Sequence, residues 1–413
     1  MSSLLQDQVK RFTKFGKKLE ISKETIEFFC HPLRTTKVNF PIKLDMGHID
    51  FYQGYRVQHS NTLGPTLGGL IISERYQVED LHAIAMIMSI QAALMGIPFG
   101  GSCGLIVGDP KKLSDGELEN LVRRYTFSIL NVIGPTQDII CPDLNTNSTT
   151  MSWVADTYSM SLGKAPLRVC TGKPKNIGGI FGRDQGIGLG ISYILHELAR
   201  TEFEEIQNHK VAIQGLGYVG RNFFRAVDEL GAIVVAVSDS SGGIYNPNGI
   251  NCEEIIEYKE QHGSIKGFTG GQPISNDDLL TLSCDVLIPC AIPNVITEDI
   301  AYKVQCRRII EGANGAITLN ADHVLWQRDI PVIPDVLANA GGMLISYFEW
   351  AQNFTDHAWD IETVKMEMKK LITRSFHKVY DLRVKEDITF REAAYMIAIE
   401  KLDKAHQMRG VYP

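Results

Sequence analysis

The sequence contains no long apolar run and no excess of basic residues. None of its stretches approaches the ~18 consecutive apolar residues that a membrane-spanning helix needs, so we expect no membrane partner. The 41 Lys and Arg residues are outnumbered by 48 Asp and Glu residues, for a formal net charge of −7. An acidic chain lacks the positive field that draws proteins to phosphate backbones, so we expect no nucleic-acid partner either.

Signals for disulfides, zinc binding and secretion are also missing. The cysteines are scattered with no Cys-x-x-Cys pair, which is typical of reduced cytoplasmic thiols. The basic, amphipathic N-terminal segment has no apolar region followed by a cleavage site, which favours a surface helix over a targeting peptide. We therefore expect a cytoplasmic protein without a bound metal. The eight cysteines are Cys30, Cys103, Cys141, Cys170, Cys252, Cys284, Cys290 and Cys306.

The length and composition suit a globular protein of two or three domains. The chain has 413 residues, of which 44% are hydrophobic, enough for well-packed cores. It has no internal repeat and no Pro/Ser-rich linker, so the domains must be recognised from the order of secondary structure. In the first half, helical spacing of apolar residues predicts helices over residues 79–95, 117–131 and 149–160. Asn147 or Ser148 is a suitable N-cap for the last of these.

The pattern changes after about residue 190, where strand-like and helical segments alternate. Strands are predicted at residues 211–214, 232–238, 285–289, 307–310 and 331–333, with a helix at 219–230 between the first two. This β-α-β order predicts a parallel sheet covered by helices on both faces, so the fold class is α/β. The glycine-rich run from Gly178 to Gly190 predicts turns at a domain junction near residues 180–190. From about residue 340 the chain is predicted to be helical.

A glycine-rich turn at residues 215–220 has the features of a dinucleotide-binding loop. Its residues are Gly215, Leu216, Gly217, Tyr218, Val219 and Gly220. In such a loop the first glycine permits a tight turn, the second lets the backbone approach a pyrophosphate, and the third lets helix and strand pack closely. Asp239 follows at the end of the next strand, where an acid can bond ribose hydroxyls and repel a 2′-phosphate, which favours NAD over NADP. The alternative is a glycine turn that has lost its cofactor.

Several longer motifs identify a family. Together they closely resemble the glutamate/leucine/phenylalanine/valine dehydrogenases, in particular the glutamate dehydrogenases, from about residue 25 to the C-terminus. The motifs are Tyr55-Arg56-Val57-Gln58-His59-Ser60-Asn61, Pro98-Phe99-Gly100-Gly101, Cys141-Pro142-Asp143, Glu311-Gly312-Ala313-Asn314-Gly315-Ala316, and Pro334-Asp335-Val336-Leu337-Ala338-Asn339 with Ser346-Tyr347-Phe348-Glu349-Trp350 downstream.

This resemblance implies a two-domain enzyme that forms hexamers. We expect an α/β substrate-binding and oligomerisation domain at residues 1–185 and a doubly wound Rossmann domain at residues 186–345. Helices at residues 346–413 are expected to pack back on the first domain. The family reaction is NAD-dependent oxidative deamination of L-glutamate to 2-oxoglutarate and ammonia. It needs cations to grip carboxylates and a base to activate water.

Three lysines of the family pattern are replaced in this chain. The motif Pro-Thr-Lys-Gly-Gly has Leu67 in place of its substrate-binding lysine, followed by Gly68 and Gly69. Gln91 stands where a second lysine is expected, and Cys103 stands at the position of the water-activating lysine. Leucine and glutamine cannot neutralise a carboxylate, and a thiol does not reproduce a lysine of lowered pKa. For Cys103 we weigh a nucleophile or redox switch against a small apolar filler.

The resemblance also assigns the remaining site residues. Asp143 matches the family's proton-shuttling aspartate, and Ser346 matches a serine that contacts the glutamate side chain. Asn314 and Asn339 match residues near the nicotinamide ribose, although capping and turn formation explain them equally well. Ile187 replaces a threonine that bonds the nicotinamide amide, so the reactive ring would be poorly held.

These replacements leave two hypotheses of different classes. The first is a catalytically impaired subunit, either a homo-hexamer that senses an amino acid or 2-oxo acid, or a regulatory partner of an active paralogue. The second is an active NAD-dependent dehydrogenase with an altered substrate. A further possibility is that Arg75, His82 or Lys111 supplies the missing charge near Asp143.

Overall fold

The computed structural model describes residues 3–163, 167–183, 186–202, 206–355 and 358–410. The chain divides into two compact units. Unit 1 comprises Met1–Arg183, Met343–Val364 and Met396–Pro413, and unit 2 comprises Asp184–Gly342 and Lys365–Tyr395. The expected junction includes Asp184 and Gln185, which lie outside the described residues.

The first part of unit 1 is built on a mixed five-stranded sheet. In space its strands run β1-β2-β4-β3-β5, with antiparallel pairing of β1, β2 and β4 and parallel pairing of β4, β3 and β5. The elements are α1 (Leu4–Lys18), α2 (Lys23–Cys30), β1 (Arg34–Lys43), β2 (Ile49–Gln58), β3 (Thr66–Ile72), α3 (Val78–Met95), β4 (Gly100–Val107), α4 (Asp115–Ser128), β5 (Asp138–Pro142) and α5 (Ser148–Leu162).

Helices cover both faces of this sheet. Leu70 and Ile72 point into a buried cluster that includes residues of α4 and α5. Ile71 points the other way, into a cluster with Ala85 of α3, because successive strand residues face opposite sides. At the N-terminus, α1 is amphipathic as expected, with Phe12 buried and Lys14 exposed.

Helix α3 is long and apolar enough to span a membrane by length and composition. Most of it is buried inside the protein, which is the behaviour of a core helix. Its central position explains the apolar composition without a bilayer.

Unit 2 contains a seven-stranded sheet whose order is β12-β11-β10-β6-β7-β8-β9. The strands from β12 to β7 are parallel, and β8 and β9 add an antiparallel edge. The elements are α6 (Gly186–Glu202), β6 (Lys210–Gln214), α7 (Tyr218–Glu229), β7 (Ile233–Asp239), β8 (Gly242–Tyr245), α8 (Cys252–His262), β9 (Gln272–Ile274), α9 (Asn276–Leu280), β10 (Val286–Pro289), α10 (Glu298–Ala301), β11 (Arg308–Ile310), α11 (Leu319–Gln327), β12 (Val332–Ile333) and α12 (Asp335–Ala338).

The strand order reverses between β6 and β10. The chain proceeds from β6 to β7 on one side and later returns to place β10, β11 and β12 on the other. A crevice therefore forms at the carboxyl ends of β6 and β10, where doubly wound sheets bind ligands. The predicted Rossmann fold is confirmed.

The predicted helices and strands are present with shifts of a few residues at their ends. Asn147 is the N-cap of α5, and its side chain accepts a hydrogen bond from the backbone N–H of Thr150 at 3.1 Å. The end of the glycine-rich run differs from the prediction, because α6 already begins at Gly186. A methyl group at Gly188 would lie 2.8 Å from the backbone oxygen of Asn222, so this glycine lets α6 pack closely on α7 rather than forming a turn.

The C-terminal helices are shared between the two units. They are α13 (Gly341–Thr355), α14 (Ile361–Glu386) and α15 (Phe390–Arg409). Met343–Val364 and Met396–Pro413 belong to unit 1, as expected for helices that return to the first domain. Lys365–Tyr395 belongs to unit 2.

Candidate functional site

Leu67, Gly68 and Gly69 lie on β3, in the middle of the first sheet. Leu67 is fully buried, opposite Gly101 of β4 and Ile139 of β5. The carbonyl oxygens of Gly68 and Gly69 accept hydrogen bonds from the Arg56 guanidinium at 3.3 and 3.0 Å. The Arg56 guanidinium therefore holds the backbone of β3, and this strand carries a buried apolar side chain at the position where we expect a substrate-binding lysine.

A buried ion pair fixes this part of the sheet. The Arg56 guanidinium donates to both carboxylate oxygens of Asp138, at 2.8 and 2.6 Å, and also to the Ser102 hydroxyl at 2.7 Å. Both members of the pair have fully buried side chains. Because the pair joins β2, β4 and β5 around β3, it sets the register on which the positions of Leu67 and Cys103 depend.

Cys103 is packed as a core residue of β4. Its side chain is fully buried in a cluster with Ile71, Ala85 and Leu105. Burial raises the pKa of the Cys103 thiol well above its ordinary value, and the nearby Asp143 carboxylate raises it further. The thiol is therefore protonated at neutral pH, which favours an apolar filler over a nucleophile.

Asp143 follows the end of β5 and lies against β3. Its Oδ1 accepts a hydrogen bond from the backbone N–H of Leu144 at 2.7 Å, and a methyl group at Gly69 would overlap its carboxylate. The side chain is accessible to solvent, yet the surrounding protein desolvates it, and this raises the pKa of the carboxyl. The structure thus brings Gly69, Cys103 and Asp143 together.

No cation pairs with Asp143 in the part of the chain that the structure describes. The Nε2 atom of His82 lies 3.0 Å from the Thr35 hydroxyl instead, and Arg75 and Lys111 are exposed. None of the three forms an ion pair with Asp143 in this structure.

Tyr76 belongs to the same group of residues, although no sequence motif marks it. Its ring packs against the cluster that contains Cys103. Burial, and then the negative charge of Asp143, raise the pKa of the Tyr76 phenol, so the group is a neutral hydrogen-bond donor at ordinary pH. Nothing in the local sequence links residue 76 to residues 103 and 143, since the fold alone brings them close.

Gln91 and Ser346 lie on two helices of unit 1. Gln91 is buried on α3, whose backbone approaches the glycines of β4 so closely that a methyl group at Gly101 would overlap Ala85. Ser346 is buried on α13, and its hydroxyl accepts a hydrogen bond from the Arg183 guanidinium at 2.5 Å.

Arg183 is a second candidate residue of this site that no sequence motif marks. It supplies a cation beside Ser346, the residue matched to the glutamate side chain. Burial raises the pKa of the nearby Cys141 thiol to about 11, and the positive charge of Arg183 opposes that rise. Arg183 lies within the glycine-rich run from Gly178 to Gly190, where the sequence predicts only turns.

The loop at residues 215–220 in unit 2 has the geometry of a pyrophosphate cradle. Gly215 has a φ of +95°, which favours glycine, and a methyl group at Gly220 would overlap the Gly215 carbonyl oxygen. A methyl group at Gly217 would meet no atom within 4 Å, so this backbone is open to a ligand. Leu216 is buried beneath the loop, whereas Tyr218 is 40% exposed and Val219 is half-buried at the start of α7.

Asp239 lies next to this loop, and each oxygen of its carboxylate accepts hydrogen bonds from two donors within the protein. The loop is tied to the preceding residue, since the N–H groups of Gly215 and Leu216 donate to the Ser238 carbonyl. Oδ1 of Asp239 accepts from the N–H and hydroxyl of Ser241, and Oδ2 accepts from the N–H of Ile265 and the ammonium of Lys259. These hydrogen bonds outweigh burial and lower the pKa of the carboxyl, which is therefore ionised at neutral pH.

The predicted nicotinamide-side residues also lie in unit 2. Asn339 donates a hydrogen bond from its side-chain amide to Oδ1 of Asn314 at 2.7 Å, so the structure brings these two together. Ile187 packs its side chain against Gly342, and a methyl group there would lie 3.3 Å from Ile187 Cγ1. Ile187 offers no hydrogen bond at this point.

A buried cluster of charges supports the two asparagine loops. The Arg391 guanidinium bonds Glu311 at 2.7 Å, Asp322 at 2.7 Å and Asp335 at 3.4 Å. Glu311 and Asp335 in turn accept backbone N–H groups of Ile317 and Gly315. These contacts fix the segments that follow β11 and β12 at the carboxyl edge of the sheet.

Known proteins share this architecture. Residues 178–410 match the family described as Glutamate/Leucine/Phenylalanine/Valine dehydrogenase, and residues 32–160 match the Glu/Leu/Phe/Val dehydrogenase dimerisation domain. Glutamate dehydrogenase of Thermotoga maritima is 40% identical over 100% of this chain and 99% of its own length. NAD-specific glutamate dehydrogenase A of Halobacterium salinarum is 39% identical, covering 96% of this chain and 91% of the relative.

A solved structure agrees over the whole chain. The hetero-hexameric glutamate dehydrogenase from Thermus thermophilus, in its Leu-bound form, is 34% identical, with a TM-score of 0.96 over 99% of this chain and 98% of its own. The fold and the glycine loop define a two-domain dehydrogenase architecture. More specifically, the chain belongs to the glutamate/leucine/phenylalanine/valine dehydrogenase family.

Proposed function

We propose that this protein is a catalytically impaired member of its family, a pseudoenzyme that acts as a regulatory or metabolite-sensing subunit. The observation that carries the proposal is the environment of the three replaced lysines. Leu67 and Cys103 are fully buried and apolar, Gln91 is buried and uncharged, and Asp143 has no cationic partner among the described residues.

The size of the expected defect follows from the chemistry. A positioned general base typically contributes about 10²–10⁴-fold to a rate. Each lost hydrogen bond to a charged group removes a further ~1.5–3 kcal/mol of binding. The combined losses would reduce oxidative deamination far below the rates of ordinary enzymes, which are roughly 1–10³ s⁻¹.

The ligand of such a subunit would be a small amino acid or 2-oxo acid. Arg183 and Ser346 together could bind a carboxylate, since a guanidinium and a hydroxyl lie within 2.5 Å of each other. Leu67 would give the neighbouring surface an apolar character. The Leu-bound relative from Thermus thermophilus supports the same class of ligand.

The protein would act in the cytoplasm as a hexamer, either alone or mixed with an active paralogue. The hetero-hexameric state of the Thermus thermophilus relative supports the mixed assembly. In that arrangement a subunit without the lysines keeps its assembly and ligand-binding roles while the paralogue performs the chemistry.

The glycine loop would still bind a dinucleotide such as NAD. The open backbone at Gly217 and the helix start at Tyr218 fit a pyrophosphate. When bound, a nicotinamide dinucleotide supplies the hydride acceptor of this family. Ile187 would leave the amide of its ring without a hydrogen bond.

Co-expression tests the regulatory proposal. The chain would be expressed with and without a lysine-bearing paralogue, and purified complexes assayed across a panel of amino acids. We expect co-purification and an amino-acid response of the mixed complex that the paralogue alone lacks. Absence of both, together with turnover by the isolated chain, would overturn the proposal.

An active dehydrogenase of altered substrate is the second candidate. Two observations favour it. The cation Arg183 lies beside Ser346, and relatives about 40% identical are named glutamate dehydrogenases. Reductive amination of a panel of 2-oxo acids with ammonia and NADH decides between the two. A 2-oxo acid turned over at ordinary rates would favour the active enzyme.

A further inference from the structure

A buried ion pair joins helix α13 to the loop at residues 170–173. The Lys173 ammonium donates hydrogen bonds to Oε1 of Glu349 and to the Cys170 carbonyl, both at 2.6 Å. The backbone N–H groups of Gly172 and Lys173 donate to the same carboxylate, at 2.9 and 3.3 Å. Both side chains of the ion pair are fully buried. One glutamate of α13 is therefore held by three donors of a single loop.

This loop packs against both the end of β5 and Arg183. Thr171 donates its N–H to the Ile140 carbonyl at 2.8 Å, which fixes the loop beside β5. Gly172 has a φ of +83°, and a methyl group there would lie 2.6 Å from Pro142 and 3.5 Å from Nε of Arg183. The backbone conformation and the close approach of Pro142 both require glycine at this position. The loop backbone is thus in contact with the side chain that carries the cation of the proposed ligand site.

The contacts close a ring around the proposed carboxylate-binding pair. Ser346 lies three residues before Glu349 on α13, and residues at this spacing are neighbours on one helix face. The Arg183 guanidinium donates to Ser346 and packs against Gly172. Gly172 in turn donates to Glu349, which closes the ring. A shift of α13 along its axis would therefore move Ser346 away from Arg183 and break the Glu349 contacts at the same time.

The ion pair is better explained by geometry than by stability. A buried ion pair adds little net stability, because the cost of desolvating two charges offsets their attraction. Its best-attested use is to specify one arrangement of the elements that it joins. Binding groups need such support, since a site must be held within about 0.5 Å of its productive geometry. A pair that ties α13 to the loop beside Arg183 provides this support.

We propose that Glu349 and Lys173 are positioning residues, whose ion pair holds Arg183 and Ser346 at the separation that binds the side-chain carboxylate of an amino acid. The inference rests on the carboxylate-binding role proposed above for Arg183 and Ser346. It gives two buried residues that act through their neighbours a role in ligand selectivity.

Titration calorimetry with L-glutamate and L-glutamine tests this inference on the full-length protein. The two amino acids differ only in the side-chain carboxylate, which glutamine replaces by a neutral amide of similar shape. We expect the wild type to bind L-glutamate about tenfold more tightly, because charge-assisted hydrogen bonds are roughly twice as strong as neutral ones. Glu349→Asp keeps the charge but shortens the side chain, and it should reduce this affinity ratio to about threefold or less.

A second variant and a control separate positioning from general stability. Lys173→Met/Glu349→Gln removes both charges and leaves no stranded ion, and it should also bring the ratio to about threefold or less. Trp350→Phe removes another anchor of α13, the hydrogen bond from the Trp350 indole to the Pro135 carbonyl at 2.7 Å. This control should lower Tm but keep the wild-type ratio to within about twofold, because the loop beside Arg183 retains its Glu349 partner. Each ratio would be measured well below the Tm of the variant, so that only folded protein is compared.

Two kinds of result would overturn the inference. An unchanged ratio in either folded positioning variant, an equal fall of the ratio in Trp350→Phe, or failure of both positioning variants to fold would refute the selective role of the ion pair and leave the ligand site standing. A wild type that binds neither amino acid, or binds both equally, would refute the carboxylate-binding role of Arg183 and Ser346 and, with it, the positioning role.

Discussion

At the scale of single residues, burial determines the chemical reactivity of Cys103. Cys103 is enclosed by core side chains and keeps its proton at neutral pH. We therefore expect Cys103 to resist alkylation by iodoacetamide in the folded protein. Cys30, which is only half-buried, is the matched control and should be modified first, as peptide mass spectrometry would reveal. Rapid labelling of Cys103 would restore the reactive-thiol interpretation.

Asp143 gives a second prediction, in the pH dependence of stability. The folded pKa of its carboxyl is raised by desolvation, so the folded state binds its proton more tightly than the unfolded state. Stability from this group is present below the unfolded pKa of about 3.9 and falls as pH rises through the folded pKa. Asp143→Asn should thus match or exceed the wild-type Tm at pH 7, with the difference vanishing near pH 3. A large loss of Tm at pH 7 would show that the ionised carboxylate has a stabilising partner.

Gly217 and Gly220 are a matched pair that separates ligand approach from packing. Gly217→Ala adds a methyl group to open space and should leave Tm within a few degrees while weakening dinucleotide binding. Gly220→Ala places the methyl group on the Gly215 carbonyl, so it should lower Tm by reducing the free energy of unfolding by about 1–3 kcal/mol, the usual cost of overpacking. Thermal unfolding and NADH fluorescence titration measure the two effects. Equal loss of stability in both variants would contradict the assigned roles.

At the scale of elements, α15 anchors the loops of unit 2 through Arg391. Removing this guanidinium would leave Glu311 and Asp335 buried without their cation. We expect Arg391→Met to cost about 3–5 kcal/mol, the usual penalty for stranding buried charges. The double variant Arg391→Met/Glu311→Gln should recover part of that loss in urea unfolding. A double variant no more stable than the single one would show that packing, not charge, is the main contribution.

Helices and strands could be predicted from the sequence where neighbouring residues carry the signal. The 3.6-residue spacing located α3, and the strand–turn–helix signal located β6, the glycine loop and α7. The order of the strands in unit 1 could not be predicted, because β2, β3 and β4 meet through contacts between distant segments. The same reason hides Tyr76 beside Asp143 and Lys259 beside Asp239, since neither pair has a characteristic spacing. The start of α6 was predicted as a turn because a glycine that permits close helix packing, such as Gly188, cannot be distinguished in sequence from a glycine that forms a turn.

At the scale of the whole molecule, the family fold is retained, while Leu67, Gln91 and Cys103 place uncharged side chains at the three positions where we expect the family's lysines. Buried pairs such as Arg56–Asp138 and Lys173–Glu349 hold the scaffold of unit 1. The glycine loop keeps its backbone geometry in unit 2. We therefore expect this protein to fold, assemble and bind small ligands without the lysines, because those properties depend on the scaffold.

The most direct test of this account is the turnover number of the purified chain, produced without any paralogue. It would be measured with NAD and with NADP across L-glutamate and other L-amino acids. We predict a kcat at least about 10²-fold below the roughly 1–10³ s⁻¹ of ordinary enzymes. A kcat within a factor of about ten of that range, with any amino acid, would contradict the account and identify the protein as an active dehydrogenase.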